Sequence, residues 1–388
     1  MESPRAKHLV GISMLLGLFL PHTSYGLMII NPLLVVLLFF ITNNKHSTGF
    51  GTLKYLLCGV VIVSLLSSLL FLYHNSNKYL LSSFYFLLLW MCFPFNGPQR
   101  IPSGYYYLAV CIILFSQLIY IFNLPFLQKQ IETLYPVGDS ELSAFEYMTE
   151  NINATNFFNY RLGGLFRNQN QSARYICLIT AAFLADRPNW GLRKTGLFIL
   201  LALVSVVLTG SRTGLIVISL TLGVYTLGSN AIPRMMKVLF VVLCLAVIIP
   251  LFISGSQLIR GLNVSQGLKN SANLKWDVLK DYLSQDNSFF HLLFGYGDSD
   301  TFHPTNPGVM PFFDSEYGDM IYTYGFIGFI LLILLYAKSF RYCQKENRLF
   351  FLVLLWSVTS TVMLSYRMSF LFMLFLSHYI SLEKNTLS

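Results

Sequence analysis

Lys194 to Gly228 reads KTGLFILLALVSVVLTGSRTGLIVISLTLGVYTLG. It holds two apolar runs, 194–209 and 211–228, with only Gly210 between them. Each is close to the length of about 17 residues that lets a helix cross the hydrocarbon of a bilayer. Irregular backbone cannot face lipid, so both runs are expected to be helices that meet in a tight turn. Within that turn, Arg212 is placed at the start of the second helix.

The same pattern repeats outward in both directions. Twelve candidate spans run roughly 8–22, 26–42, 54–73, 79–96, 103–122, 170–186, 194–209, 211–228, 237–254, 319–337, 349–365 and 367–382. Of the 388 residues, 55% are hydrophobic and 11% charged, against about a quarter charged in soluble domains. So few charges cannot solvate a globule of this size, and lipid is the solvent that the composition demands. The expected fold class is all-α: a polytopic integral membrane protein of about 12 transmembrane helices, a single transmembrane domain over 1–388 with two long outer loops at 123–169 and 255–318.

Charge sets the orientation. With the N-terminus in the cytoplasm, the inner segments hold 15 of the 26 basic residues and only 4 of the 17 acids, Glu2, Asp186, Glu346 and Glu383. Cytoplasmic loops are enriched in Lys and Arg, so both termini are expected inside. The net charge of +9 is then topological. No basic run of five or more residues exists, and no nucleic-acid partner is implied. Arg5, Lys7, an apolar run and Ser24-Tyr25-Gly26 could also mimic a signal peptide, whose removal would leave the sidedness of the rest unchanged. The six cysteines, Cys58, Cys92, Cys111, Cys177, Cys244 and Cys343, are scattered singly and read as small apolar fillers.

The two long loops carry Trp, Tyr, Phe and Leu among their charges, which favours folding against the membrane surface. Ser140 to Asn151 and Asn273 to Leu283 read as short surface helices.

Three constellations could carry chemistry. Tyr160-Arg161-Leu162-Gly163-Gly164-Leu165-Phe166-Arg167-Asn168-Gln169-Asn170-Gln171, followed by Arg174, gathers three arginines and four amides where the first loop returns to the bilayer. These arginines either anchor the loop among headgroups or bind an anionic phosphate through their planar forks. Gly163 and Gly164 would let backbone approach a ligand. The second constellation is Thr209-Gly210-Ser211-Arg212-Thr213-Gly214. Ser211 and Thr213 can cap the following helix, whose N-terminus attracts anions, and Arg212 reinforces that attraction. The third closes the second loop: Gly295-Tyr296-Gly297, His303, Asp314-Ser315-Glu316-Tyr317-Gly318-Asp319 and Gly325-Phe326-Ile327-Gly328. Its acids are either solvated loop charge or, beside an apolar face, carboxylates of raised pKa able to act as bases. His291 and His303 have no partner at metal-ligand spacing, so no metal is expected.

Taken together, over about 155–335, these segments resemble the O-antigen polymerase and O-antigen ligase superfamily of bacterial envelope enzymes. The order carries the resemblance: Thr209-Gly210-Ser211-Arg212-Thr213-Gly214 opens a span, then comes a long outer loop with Gly-x-Gly, a polar motif, a span and Gly-x-x-Gly. The resemblance implies glycosyl transfer on the periplasmic face of the inner membrane, from glycans carried on undecaprenyl diphosphate, with no cofactor. Its implied partners are the lipid-linked glycan, the bilayer and a chain-length regulator protein. The ligases resemble one another in a His-Asn-x-x-Leu type motif. Its His would fall 11 residues before Gly325, where this chain has Asp314. That departure suits a repeat-unit polymerase better than a ligase. Arg161, Arg167, Arg174, Arg212 and Arg260 are the expected diphosphate or glycan ligands, and Asp314 or Glu316, with His303 after them, the expected base. A flippase is the reading from a different class. Transporters usually place charges mid-membrane and show internal repeats, whereas here the charges gather in outer loops and no repeat stands out.

Overall fold

A computed structural model of the chain describes residues 4–20, 51–70, 101–135, 162–166, 169–185, 192–228, 234–235, 237–238, 289–295, 316–343, 347–358, 368, 370–372 and 374–376. All their regular structure is helical. The order is α1 (Pro4–Phe19), α2 (Gly51–Leu70), α3 (Ser103–Ile121), α4 (Pro125–Leu134), a 3-10 turn (Gly164–Phe166), α5 (Gln169–Ala185), α6 (Leu192–Thr209), α7 (Arg212–Gly228), α8 (Phe289–Phe294), α9 (Glu316–Tyr342) and a 3-10 helix (Asn347–Val358). Two of the described helices are both long and apolar enough to cross a bilayer, Ser103–Ile121 and Met320–Tyr342. His8–Phe19, Tyr55–Ser67 and Thr213–Gly228 are shorter apolar helices. The expected spans 26–42 and 79–96, and all of 237–254 beyond its first two residues, lie outside the described residues, as do the surface helices expected at Ser140 to Asn151 and Asn273 to Leu283.

The bundle is organised around α5. Every residue from Ser172 to Ala185 is buried. A helix apolar on all sides is stable only when neighbours cover all of it. Here α3, α6, α7, the 164–166 turn and the 3-10 helix do so. Phe183 stacks on Phe198 of α6 at 3.8 Å between ring centroids and meets Tyr106 of α3 edge-on at 5.7 Å. Tyr106 in turn stacks on Phe375 at 6.2 Å, and Phe350 on Phe372 at 4.9 Å, so the C-terminal segments close the same core.

The second packing unit is α2 against α9, the most extensive helix pair among the described residues. The two run antiparallel. A Cβ on Gly59 would meet Leu331 Cδ1 at 3.1 Å, and one on Gly328 would meet Val63 Cγ1 at 3.4 Å. Small residues at these crossings let backbones approach, which is how helices associate when lipid offers no hydrophobic gain.

Three local features depart from the sequence reading. The run expected as one span at 319–337 is a longer helix that is broken inside by Gly325, at φ 66° and ψ −174°. The start of the run expected at 349–365 is wound as a 3-10 helix. The stretch 123–169, expected as an outer loop, begins with a helix that the composition-based reading passed over, α4, with Ile131 buried and Phe126 and Leu134 exposed. Cys177 and Cys343 are buried, Cys58 is half-buried, and Cys111 is exposed on a membrane-length helix, all as free thiols.

Candidate functional site

Ser211 shows why the turn between α6 and α7 has its sequence. Gly210 takes φ 60°, a left-handed conformation that closes α6. Ser211 then caps α7: its Oγ accepts the Gly214 N–H at 3.3 Å, and its carbonyl accepts the Leu215 N–H at 3.0 Å. The Thr209 hydroxyl donates to the Val206 carbonyl at 2.6 Å and accepts the Ser211 N–H at 3.1 Å. Ser211 Oγ also donates to Asn170 Oδ1 in the first turn of α5, at 3.0 Å.

That bond sets the N-termini of α5 and α7 side by side. The two helices are in close contact just below it. A Cβ on Gly214 would stand 2.8 Å from the Cβ of Ala173, and Cys177 Sγ donates to the Gly214 carbonyl at 3.5 Å. Two adjacent helix N-termini add their positive ends, so this corner of the bundle is an anion-attracting place. Arg212 is the first residue of α7. Arg174, in the second turn of α5, is 5% exposed. Its side chain is enclosed by the protein. Ser172, one turn into α5, is fully buried and its hydroxyl has no hydrogen-bond partner among the described residues.

The Leu162–Phe166 segment lies against the same corner. The Leu162 N–H donates to the Leu208 carbonyl at 3.0 Å, and the Leu165 N–H donates to Ser116 Oγ at 2.9 Å. Phe166 packs on Tyr175 of α5 at 4.4 Å between centroids and stacks on Phe19 of α1 at 6.3 Å. Gly164 has φ 55°, and a Cβ there would lie 3.1 Å from the Gln117 backbone nitrogen. Its freedom is used in a close approach to α3.

A separate glycine contact joins the motifs of the second loop. Gly295 (φ 78°) and Gly325 (φ 66°) bring the end of α8 onto the break in α9. A Cβ on Gly295 would stand 2.6 Å from the Gly325 nitrogen, and one on Gly325 would stand 2.5 Å from the Phe294 nitrogen and closer still to the Leu293 carbonyl. Ser67 of α2 donates a hydrogen bond to the Phe294 carbonyl. The Gly-x-Gly and Gly-x-x-Gly motifs, 30 positions apart in sequence, thus begin with two glycines in backbone contact. Glu316, one of the expected bases, opens α9 two turns before that break. Desolvation in α8 lowers the pKa of His291 below its ordinary value.

Of the expected site residues, the structure brings Arg174 and the backbone of Arg212 to the paired helix starts and puts Glu316 at the head of α9. Arg161, Arg167, Arg260, His303 and Asp314 lie outside the described residues. Gln117, Ser116 and Ser205 were not singled out by sequence reasoning. Their only signal was polar side chains within apolar runs, and that pattern is common in helices that merely pack.

These features describe a helical membrane protein with polar residues at the paired starts of two helices and a glycine contact at the break in α9. Residues 197–333, from α6 through most of α9, match the family model described as O-Antigen ligase. The match supports the O-antigen ligase and polymerase superfamily and, at that level, a role in surface-glycan assembly. No curated protein matched the chain.

Proposed function

We propose that the protein polymerises glycan repeat units carried on undecaprenyl diphosphate, at the periplasmic face of the bacterial inner membrane. The observation that carries this reading is the pairing of the α5 and α7 N-termini through Ser211 and Asn170, with Arg212 opening one helix and Arg174 enclosed in the other. A lipid diphosphate is a leaving group that needs charge stabilisation and no protonation. Arginines and helix N-termini supply this without a metal. Arg161, Arg167 and Arg260 are the further cations assigned to diphosphate and glycan.

In the proposed reaction a sugar hydroxyl of the incoming lipid-linked unit attacks the anomeric carbon of the growing chain. A new C–O bond forms, the bond to the diphosphate breaks, and its electron pair leaves on the diphosphate oxygen. The hydroxyl proton passes to a carboxylate, Asp314 or Glu316, with His303 as the third candidate. A chain-length regulator is the proposed protein partner, and both termini are placed in the cytoplasm.

A second reading, ligation of the finished glycan to lipid A-core, has in its favour the match to a family described as O-Antigen ligase. Asp314 stands against it, because a carboxylate and an imidazole place different charge beside an anionic diphosphate. A surface-glycan gel from a deletion strain separates the two. A band of core plus one repeat unit is the polymerase result. Core alone, with long lipid-linked glycan still present in the membrane, would make the protein a ligase.

A further inference from the structure

We propose that Gln117 is a positioning residue for the diphosphate site, holding in register the short segment whose two ends carry Arg161 and Arg167. The proposal rests on the lipid-diphosphate donor assigned above. Gln117 lies near the loop end of α3 and is fully buried. Its Nε2 donates to the Leu162 carbonyl at 3.3 Å and to the Ser205 carbonyl of α6 at 3.0 Å. Its Oε1 accepts the Ser205 hydroxyl at 2.7 Å. One side chain thus ties together two helices and the returning loop, and uses three of the four hydrogen bonds that an amide can make.

The neighbouring bonds complete a clamp. Ser116 Oγ accepts the Leu165 N–H and donates to the Ile113 carbonyl at 2.7 Å, while the Leu208 carbonyl accepts the Leu162 N–H. A Cβ on Gly164, which has φ 55°, would stand 3.1 Å from the Gln117 nitrogen and closer still to Ser116 Oγ. The segment from Leu162 to Phe166 is therefore held at both ends by α3 and α6. Arg161 immediately precedes it and Arg167 immediately follows it. A shift of the segment must move both attachment points, and a guanidinium fork displaced by about 1 Å loses much of its effect on a bound group. α6 is also the helix whose end turns into Ser211 and Arg212. Gln117 thereby couples the segment bearing two of the arginines to the turn bearing the third.

A leucine at this position would fill similar volume and pack well, yet would take from the Leu162 carbonyl the Gln117 donor and from the Ser205 hydroxyl the Gln117 acceptor. In a water-poor interior the segment would then be free to move to satisfy them. Ser116→Ala is the milder change, since it removes a single bond to Leu165.

The test uses the purified full-length protein in detergent with two readouts. Hydrogen exchange at the Leu162 and Leu165 amides reports the clamp, and binding of undecaprenyl diphosphate reports the site. Thr221→Val is the control, because it removes a buried hydroxyl that bonds the Val217 carbonyl within α7, away from the clamp. We expect Gln117→Leu to speed exchange at both amides and to weaken undecaprenyl diphosphate binding about tenfold, the equivalent of one lost buried hydrogen bond. Ser116→Ala should do the same to a smaller degree, and Thr221→Val should lower thermal stability with affinity unchanged. Unchanged exchange in Gln117→Leu overturns the clamp. Faster exchange with unchanged affinity overturns the positioning role, as does an equal loss of affinity in Thr221→Val. If the unaltered protein does not bind undecaprenyl diphosphate, the donor assignment fails and the positioning role with it, while the exchange data still report whether the clamp exists.

Discussion

Gly325→Ala should detach α8 from α9. At φ 66° and ψ −174°, Gly325 occupies a region that side-chain-bearing residues adopt only at a cost of about 1–3 kcal/mol. The new Cβ would also stand 2.5 Å from the Phe294 nitrogen, where ordinary contact begins at 3.4 Å. Its neighbours are main-chain atoms of Leu293 and Phe294, so no side chain can rotate away. Relief requires α8 to move back by about 1 Å, and overpacking of this kind adds about 1–3 kcal/mol. A combined penalty of about 2–6 kcal/mol would shift the balance between docked and undocked α8 by roughly 30-fold to 25,000-fold. The Gly295 N–H, which donates to the His291 carbonyl at 2.8 Å, is a suitable reporter through its hydrogen exchange. Exchange there should accelerate and glycan polymer should be lost from surface-glycan gels. Gly223→Ala is the contrast, since nothing lies within 4 Å of its added Cβ and a helical Gly→Ala change is neutral or favourable by about 0.5–1 kcal/mol. Normal exchange and normal polymer in Gly325→Ala would refute the backbone-contact reasoning.

Arg212→Ala should abolish polymer formation at near-normal protein levels, and Arg212→Lys should restore it only in part, since lysine lacks the planar fork. Polymer of normal length from Arg212→Ala would remove this residue from the diphosphate site. Reporter fusions at Asn153 and Ser271 should give periplasmic signals and one at Ser388 a cytoplasmic signal, and a cytoplasmic signal from either loop would overturn the orientation. Because desolvation lowers the His291 pKa, the neutral imidazole is the form that suits docked α8. Undocked α8 binds the proton more readily, so docking should weaken as pH falls through the ordinary histidine value of about 6.5 and level off below the depressed one. Exchange of the α8 amides compared at neutral and acid pH should show this in the unaltered chain, and His291→Gln should flatten it.

The legible part of the site was its local chemistry. Ser211 as a cap, Gly210 and Gly214 beside it, and Arg212 at a helix start follow from residue types at fixed offsets within one turn, and a cap requires nothing from the rest of the fold. Gln117 was not legible, because a glutamine in an apolar run acquires meaning only from what faces it, here a carbonyl 45 positions later and a serine 88 positions later. Gly325 looked like one glycine of a short motif. That it breaks a helix is decided by the α8 backbone that presses against it, a contact between positions 30 apart in sequence.

Composition and the period of the apolar runs determined by themselves that this is a helical chain built for lipid, because the hydrocarbon core admits only backbone that satisfies its own hydrogen bonds. The clustering of arginines and amides around the returning loop and the helix turn was likewise written in the order of residues. Tertiary structure alone decided which helix is enclosed on all sides, which two helix starts stand together, and where a glycine spends its missing side chain. In a membrane, association between helices turns on close backbone approach and a few buried polar bonds. Those are properties of pairs of segments, so α5 beside α7 at Ser211 and Asn170, and α8 upon α9 at Gly295 and Gly325, became visible only when the chain was folded.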